Sequence, residues 1–401
     1  MIYAAGALAF LVALLVSVAL HEAGHFAVAR RYGMKATQFF VGFGPTLFSR
    51  RRGETEYGVK AIPAGGYVRI VGMTPLERID PADEPRAMYR QPVRQRVAVL
   101  FAGPAMNFLF AVVLVVGGTF LIGVQALGAP GIARALPCVT NGAAQECAPG
   151  DPASPATAAG ITDGDRVVAV AGTPVTGVRP LVEQVRASAG RPLPLTVERD
   201  GVRREVTVTP VPVERPSLTQ EGVTERVGAI GVQMRQHVIT ERVGFTESMR
   251  ASADIGAAFA AGIERTFTEK LGTITTLYSA ERDPEGFIGV VGVGRISGEV
   301  LASEETAGVK ALQFVMMIAS LNLFVGLFNL LPLLPLDGGH IAVAVYEGAR
   351  DKTRRLRGYR GPTIRVDYNK LMPVTYGVAA SLLLLSLFIM GADIVNPVRL
   401  S

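Results

Sequence analysis

Charge is what this chain has least of. Asp, Glu, Lys and Arg together make up 18% of its 401 residues and hydrophobic residues 49%, where a soluble domain carries about 25% charged residues. The deficit is local: residues 1–20, 97–133, 311–336 and 371–392 contain no charged side chain at all. Each run is long enough for a helix to cross a hydrocarbon core, which takes roughly 20 apolar residues. A buried helix of a soluble protein accounts for one such run, not four, so the chain is read as spanning a membrane. No basic residue precedes the first run, and the run outlasts the h-region of about 7–15 residues of a cleaved signal; it is read as a retained span. Cysteine is scarce as well. Cys138 and Cys147 are the only two, too few for a zinc site of their own. A disulfide between them suits an exterior segment, with two free thiols as the alternative. Internal repeats, long low-complexity tracts and nucleic-acid-binding motifs are missing, so the net charge of +6 is not read as a nucleic-acid footprint.

The charge that is present sets the orientation. Residues 30–96 hold 13 Lys/Arg against 6 Asp/Glu and residues 350–370 hold 8 against 2, whereas residues 125–310 hold 18 against 22. Basic connections stay in the cytoplasm. The first and last connections therefore face inward, the long middle one faces outward, and with four spans both termini lie outside.

In the first connection, residues 56–71 are rich in β-branched and aromatic residues and are broken by Pro63 and Gly65–Gly66. They read as a bent hairpin, followed by a polar stretch, 75–96. In the middle connection the pattern predicts a strand at 132–136, then a Pro/Ala/Gly-rich stretch carrying both cysteines, then a short helix ending at Gly160. An Asp163–Gly164 turn, a strand at 166–170, a Gly172–Thr173 turn and a helix at about 179–189 follow. Strands at 193–199 and 205–210 are joined by Asp200–Gly201, a strong hairpin signal. Over about residues 131–236 this order resembles a PDZ domain of the bacterial, permuted kind, and PDZ domains capture extended or C-terminal peptide segments by strand addition. Residues 238–310 mix amphipathic helix with a glycine-rich run at 286–298 and are placed near the outer membrane surface.

The sharpest motif is His21-Glu22-Ala23-Gly24-His25. On a helix, residues i and i+4 share a face, so both imidazoles can hold one metal ion while Glu22 is placed to take a proton from water activated there. Ionisable groups at the edge of a span are costly and functional by default. Only four histidines exist in the chain, which makes the spacing specific. Catalytic zinc takes three protein ligands, and the third should come from another element. Asp337, in Leu336-Asp337-Gly338-Gly339-His340, ends an apolar run at the depth where His21 and His25 end theirs. His340 is its rival, with a place beside the ligands as its other role.

These segments resemble the site-2 proteases, intramembrane zinc metalloproteases, and among them the bacterial branch with a single PDZ domain. The resemblance is carried by residues 21–25, by Val41-Gly-Phe-Gly-Pro-Thr-Leu-Phe48, by Gly53-Glu-Thr-Glu-Tyr-Gly58, by Pro63-Ala-Gly-Gly-Tyr67, by Gly103-Pro-Ala-Met-Asn107 and by 336–340. It extends over nearly the whole chain, with one departure: relatives often carry Pro-x-Pro-x-Leu-Asp-Gly, here Pro332-Leu-Leu-Pro335-Leu-Asp-Gly338. The resemblance implies His21, His25 and Asp337 as ligands of Zn2+, Glu22 as general base, and Asn329, with Asn322 and Asn107, as substrate-holding residues. For Asn107 and Asn322 a helix–helix hydrogen bond is the alternative. It implies single-pass membrane proteins such as anti-sigma factors as substrates, with membrane lipid as the other partner, and a multi-pass protein of the cell inner (plasma) membrane with the active site toward the cytoplasm.

The expected fold is thus an α-helical membrane protein with four transmembrane helices, an inserted extracytoplasmic α+β PDZ domain and a cytoplasmic, membrane-associated β-hairpin loop. The expected organisation is span one at 1–30, the hairpin loop at 31–96 and span two at 97–126. The PDZ domain at 130–236 and a membrane-proximal segment at 237–310 follow, then span three with Leu-Asp-Gly at 311–338, a loop at 339–370 and span four at 371–392. Two other classes compete: a transporter with His21, Glu22 and Asp337 as a proton relay, and a non-catalytic PDZ scaffold. The absence of an inverted repeat weighs against the first, and Glu22, which zinc binding alone does not require, weighs against the second.

Overall fold

A computed structural model describes residues 2–73, 77–140, 147–218, 223–269, 271–279, 282–283, 286–361 and 365–398. The start of the polar stretch at 75–96 and the centre of the cysteine-bearing stretch lie outside the described residues. The chain forms two compact units, Met1–Val124 with Arg242–Ser401, and Gln125–Glu241.

In the first unit, the uncharged N-terminal run continues as one helix, α1 (Ile2–Arg31), through the histidine motif to a basic last turn. A helix bonds all its interior backbone groups internally, which is what hydrocarbon demands. Then come β1 (Ala36–Arg52) and β2 (Thr55–Ile70). The expected hairpin of residues 56–71 is corrected here: β2 bends at Gly65, at φ +135°, but its two arms do not pair with each other. Both pair with β1. Phe39 is in register with Val68 and also with Tyr57, and Val41 with Gly66 and also with Val59. The tight turn is at Gly53, φ +63°.

Helix α2 spans Val93–Leu121, not 97–126. Charge does not stop it at its start, because buried Arg96 is paired with Glu347 at 2.6 Å. It stops early because Gly123 takes φ +117° and the chain turns into strand β3 (Val124–Leu127).

The second unit contains β4 (Gly131–Ala135), α3 (Pro155–Ala158), β5 (Arg166–Val170), β6 (Thr173–Pro174), α4 (Val178–Ala187), β7 (Leu193–Arg199) and β8 (Val202–Val208). After them come β9 (Val211–Pro216), β10 (Thr224–Ala229), β11 (Val232–Arg235) and β12 (Val238–Glu241). The main sheet runs β11-β4-β5-β7-β8, with β6 added on β5. Its core is Ile132, Ile161, Val167, Leu181, Leu195 and Val197. The strand expected at 205–210 begins three residues earlier. Asp200 and Gly201 both adopt positive φ (51° and 80°), so the ladder resumes at once with Arg199 opposite Val202. Just before β5, Asp165 is fully buried and holds Arg199 and Arg204. Burial works against its charge, but the Arg199 hydrogen bond, the Thr162 N–H and the Arg204 charge hold its carboxyl below the ordinary 3.8. Cys138 and Cys147 are joined in a disulfide.

The first unit resumes with α5 (Phe245–Thr268), α6 (Val290–Ala302), α7 (Ala307–Asn329), α8 (Asp337–Leu356) and α9 (Tyr368–Val395). The glycine-rich run becomes α6, which lies hard against α1: a Cβ on Gly6 would come within 2.5 Å of the Ser297 carbonyl oxygen. Asp393 of α9 accepts the Gly289 and Gly292 N–H groups at 2.9 Å and caps α6. Span three ends at Asn329, not 338. Pro332 and Pro335 cannot supply helical N–H donors, and Asp337 opens α8, which occupies much of the loop expected at 339–370. Helices α1, α2, α7 and α9 are the four described helices long and apolar enough to cross a membrane.

Candidate metal centre

The centre is assembled where α1 crosses α2. Both helices carry glycine at the crossing: a Cβ on Gly24 would meet the Ala102 carbonyl oxygen at 2.3 Å, and one on Gly103 would meet His25 Nε2 at 2.3 Å. Helices in lipid approach closely where residues are small, and here the approach brings the backbone of α2 onto the two imidazoles. The Val99 carbonyl accepts from His25 Nδ1 at 2.7 Å. Asn107 reaches His21 Nδ1 at 3.1 Å.

The third group arrives from α8. Asp337 is its first residue, where the helix dipole favours a carboxylate. The chain reaches it by folding residues 330–336 back over the helix start. This fold explains the two glycines that follow: a Cβ on Gly338 would lie 2.2 Å from the Leu330 carbonyl oxygen and one on Gly339 2.5 Å from the Leu333 carbonyl carbon. The buried Arg96–Glu347 pair, with Glu347 also accepting the Val366 N–H at 2.7 Å, ties α8 to the start of α2.

His21 Nε2 is 3.2 Å from His25 Nε2 and 3.2 Å from Asp337 Oδ2, and His25 Nε2 is 3.3 Å from the same oxygen. His25 spends its Nδ1 proton on the Val99 carbonyl, so its Nε2 carries a lone pair. His21 does the same if the Asn107 amide turns its oxygen to Nδ1, the rotamer that also satisfies an Oδ1 otherwise without a partner. Three acceptors then converge with no proton between them, and Asp337 Oδ2 has no donor of its own. That arrangement calls for a cation. Zinc ligands about 2.0–2.1 Å from a tetrahedral ion sit about 3.3 Å apart, so the triangle fits zinc. Among the described residues, His21, His25 and Asp337 are the one group of three such side chains that could hold a metal ion. His340, the rival ligand, is outside it and stacks on Tyr368 with centroids 6.1 Å apart.

A cavity of about 420 Å³ opens beside the triangle, lined by His21, Glu22, His25, Asn329 and Asp337, by the β2 residues Ala64–Val68, and by apolar groups that include Val18, Phe43 and Val325. Glu22 Oε2 accepts the Val68 N–H at 2.8 Å. Of the three asparagines singled out in the sequence, Asn329 lines this cavity and the other two do not. Asn107 is buried against His21; Asn322, fully buried, donates to Ser17 Oγ and the Ile318 carbonyl. Sequence reasoning missed Val99, and it picked out Gly103 only as part of a matching segment, without a role. A backbone carbonyl leaves no mark in a sequence, but a glycine inside an apolar helix is a visible signal of close approach.

The chain matches peptidase family M50 over residues 9–361. It is 42% identical over 411 residues to the zinc metalloprotease Rip1 of Mycobacterium tuberculosis, with 100% of both chains covered. It is 40% identical over 417 residues to the Rip1 of Mycolicibacterium smegmatis, again with 100% of both covered. With the four apolar helices and the converging His-His-Asp set, these likenesses lead to one conclusion: the chain belongs to peptidase family M50 and is an intramembrane zinc metalloprotease of the site-2 kind.

Proposed function

We propose that this protease cuts single-pass membrane proteins within or near their transmembrane segments, with trimmed anti-sigma factors as its substrate class, at the inner membrane and from the cytoplasmic side. His21, His25 and Asp337 hold the zinc and Glu22 is the general base. The observation that carries this reading is the convergence of three acceptor atoms beside Glu22 in a cavity walled on one side by a strand. When bound there, zinc polarises a carbonyl and makes water more acidic. Glu22, its Oε2 fixed by the Val68 N–H, takes the proton from the attacking water on its other oxygen and hands it to the leaving amide nitrogen. Asn107 and the Val99 carbonyl hold the two imidazoles in the tautomer that binds metal. Asn329 faces the cavity and can donate to and accept from an unwound substrate backbone.

The β1–β2 sheet is membrane-associated in this reading. Gly66 lies against Val18 and Glu22, which at 1.5 Å per residue is about 13–20 Å from the basic end of α1. The second unit acts as a PDZ domain on the outer side. There the cavity of about 160 Å³ between α4 and edge strand β11 is its peptide groove, and the unit excludes substrates with bulky exterior domains. The disulfide suits that compartment.

The test is Glu22→Gln in the purified, bilayer-reconstituted protein. It should keep one zinc per chain and lose cleavage of a membrane-spanning substrate by about 10²–10⁴-fold. Wild-type cleavage by Glu22→Gln, or a folded wild-type protein without zinc, defeats the reading.

A further inference from the structure

The β1–β2 sheet has a surface that the metal centre does not use. Leu47, Phe48, Val59 and Ile62 are 48–70% exposed and lie on neighbouring stretches of the two strands. The one charged side chain within 43–49 and 59–64 is Lys60. Its Nζ is folded inward, 5.0 Å from the Phe40 ring centre and donating to the Gly44 carbonyl at 3.2 Å. An exposed apolar surface of this kind has to meet something apolar.

Directly after it come Arg50, Arg51 and Arg52, three exposed arginines that form no ion pair among the described residues. Other arginines of the same loop are paired, Arg86 with Glu54 and Arg69 with Glu77. The register fixes their level. Arg52 is opposite Thr55 and Arg51 opposite Glu56, while Thr55 Oγ1 donates to the Ala36 carbonyl at 2.7 Å. Ala36 follows closely on the basic last turn of α1, Arg30 and Arg31. Arg52 therefore sits level with Ala36 near the end of α1, Arg51 and Arg50 follow along the strand as far as the level of Tyr57 and Phe39, and the apolar tip extends beyond them past Val18.

We propose that Arg50–Arg52 bind the phosphates of acidic phospholipids in the leaflet that receives the tip, and so fix the depth of the sheet. The proposal rests on the membrane-associated reading of the sheet given above. Guanidinium groups pair with phosphate in two-pronged fashion, and an acidic leaflet attracts each basic residue near its surface by a factor of about five. An apolar tip alone would insert into any bilayer. The unpaired arginines add selectivity for acidic lipid, and they hold the β2 residues 64–68 at the height of Glu22.

The chain contains no tryptophan, so Leu47→Trp, at a position 70% exposed, gives a single fluorescent reporter in the full-length protein. It is placed in nanodiscs in which either phosphatidylglycerol or phosphatidylcholine carries bromine on its acyl chains, at equal mole fraction. Quenching by the brominated phosphatidylglycerol should exceed that by the brominated phosphatidylcholine by about twofold or more. Arg50→Gln, Arg51→Gln and Arg52→Gln together should equalise the two while zinc content stays at one per chain. Equal quenching in the unsubstituted arginine background overturns the proposal, and so does selectivity that survives the triple substitution. Solvent-like emission with no quenching by either lipid overturns the membrane-associated reading as well. Zinc content and substrate cleavage, measured on the same samples, report separately on the protease reading.

Discussion

Gly103→Ala adds one methyl group at the helix crossing that holds the proposed metal ligands His21 and His25. A Cβ at this position would stand 2.3 Å from His25 Nε2, 2.6 Å from His25 Cε1 and 2.8 Å from His21 Cε1, where ordinary contact begins at 3.4 Å. The shortfall at His25 is about 1.1 Å, several times the tolerance of about 0.2 Å on a metal–ligand distance. The helices cannot simply part, because Gly24 on the facing helix has its own backbone contact, with a Cβ there predicted to reach Ala102 O at 2.3 Å. His25 must therefore leave its place, breaking its bond to the Val99 carbonyl. Loss of an outer partner alone lowers metal affinity about 10–100-fold, and displacing the ligand itself should exceed that. Gly117→Ala on the same helix is the control. Nothing lies within 4 Å of a Cβ there, and alanine favours a helix by about 1 kcal/mol over glycine. Both variants would be purified, dialysed against a graded chelator series and assayed for bound zinc. If Gly103→Ala retains zinc as tightly as Gly117→Ala, the crossing is not the cradle of the metal centre.

Asn107→Ala should weaken zinc binding about 10–100-fold, while Asn107→Asp, which keeps an acceptor oxygen for His21 Nδ1, should recover most of it. A loss of substrate affinity with zinc binding intact would return Asn107 to the substrate-holding role. Asp165 gives the second unit an acid limit. Its folded-state value is depressed, so its stabilising contribution is full above the ordinary 3.8 and is lost as pH falls through the lower folded value. Asp165→Ala should cost about 1–3 kcal/mol at neutral pH, as Arg199 and Arg204 lose charged hydrogen bonds. It should also flatten the acid dependence, as read by hydrogen exchange at Val167 and Val197 in the full chain. An unchanged acid profile would assign that dependence to other groups.

Much of this protein is legible before any coordinates. The four uncharged runs specify helices because hydrocarbon leaves the backbone no other partner. His21 and His25 announce a shared face through their spacing. Asp337 is legible only by elimination, since it is far from the histidines in sequence and what joins them is the packing of α1, α2 and α8. Boundaries are less legible for identifiable reasons. Arg96 resembles the end of a span, yet it is buried because Glu347 neutralises it, a partner 251 positions away. Apolar character continues to Leu336, but prolines end the helix at Asn329, so an apolar run overstates the span. The pairing of β1 with both arms of β2 is a non-local choice that alternation within residues 56–71 cannot reveal.

The backbone of β2 makes a further demand on the mechanism. Successive residues in a strand present their N–H and C=O groups to opposite edges, and the Val68 N–H points to Glu22, away from β1. By that alternation the N–H and carbonyl of Gly66 face the same side, toward the cavity, and the described β1 partners occupy the other edge. A substrate helix brings no free backbone groups until it unwinds, and an unwound stretch could then pair with Gly66 by strand addition. Gly66→Pro removes that donor, whereas Gly66→Ala keeps it. Both add a carbon in the same narrow space, where a Cβ meets Val18 Cγ1 and the Phe40 carbonyl oxygen at 3.0 Å. The difference between the two variants contains the hydrogen bond, worth about 0.5–1.5 kcal/mol or roughly 2–12-fold in substrate cleavage, together with the effect of the proline ring on φ and on Gly65. Zinc content should be equal in both, because a Cβ on residue 66 meets Phe40, Val18 and Glu22 and none of the proposed ligands. Equal cleavage by the proline and alanine variants would mean that the edge of β2 holds Glu22 and nothing else, and that the unwound substrate finds its partners elsewhere on the cavity wall, with Asn329 the first place to look.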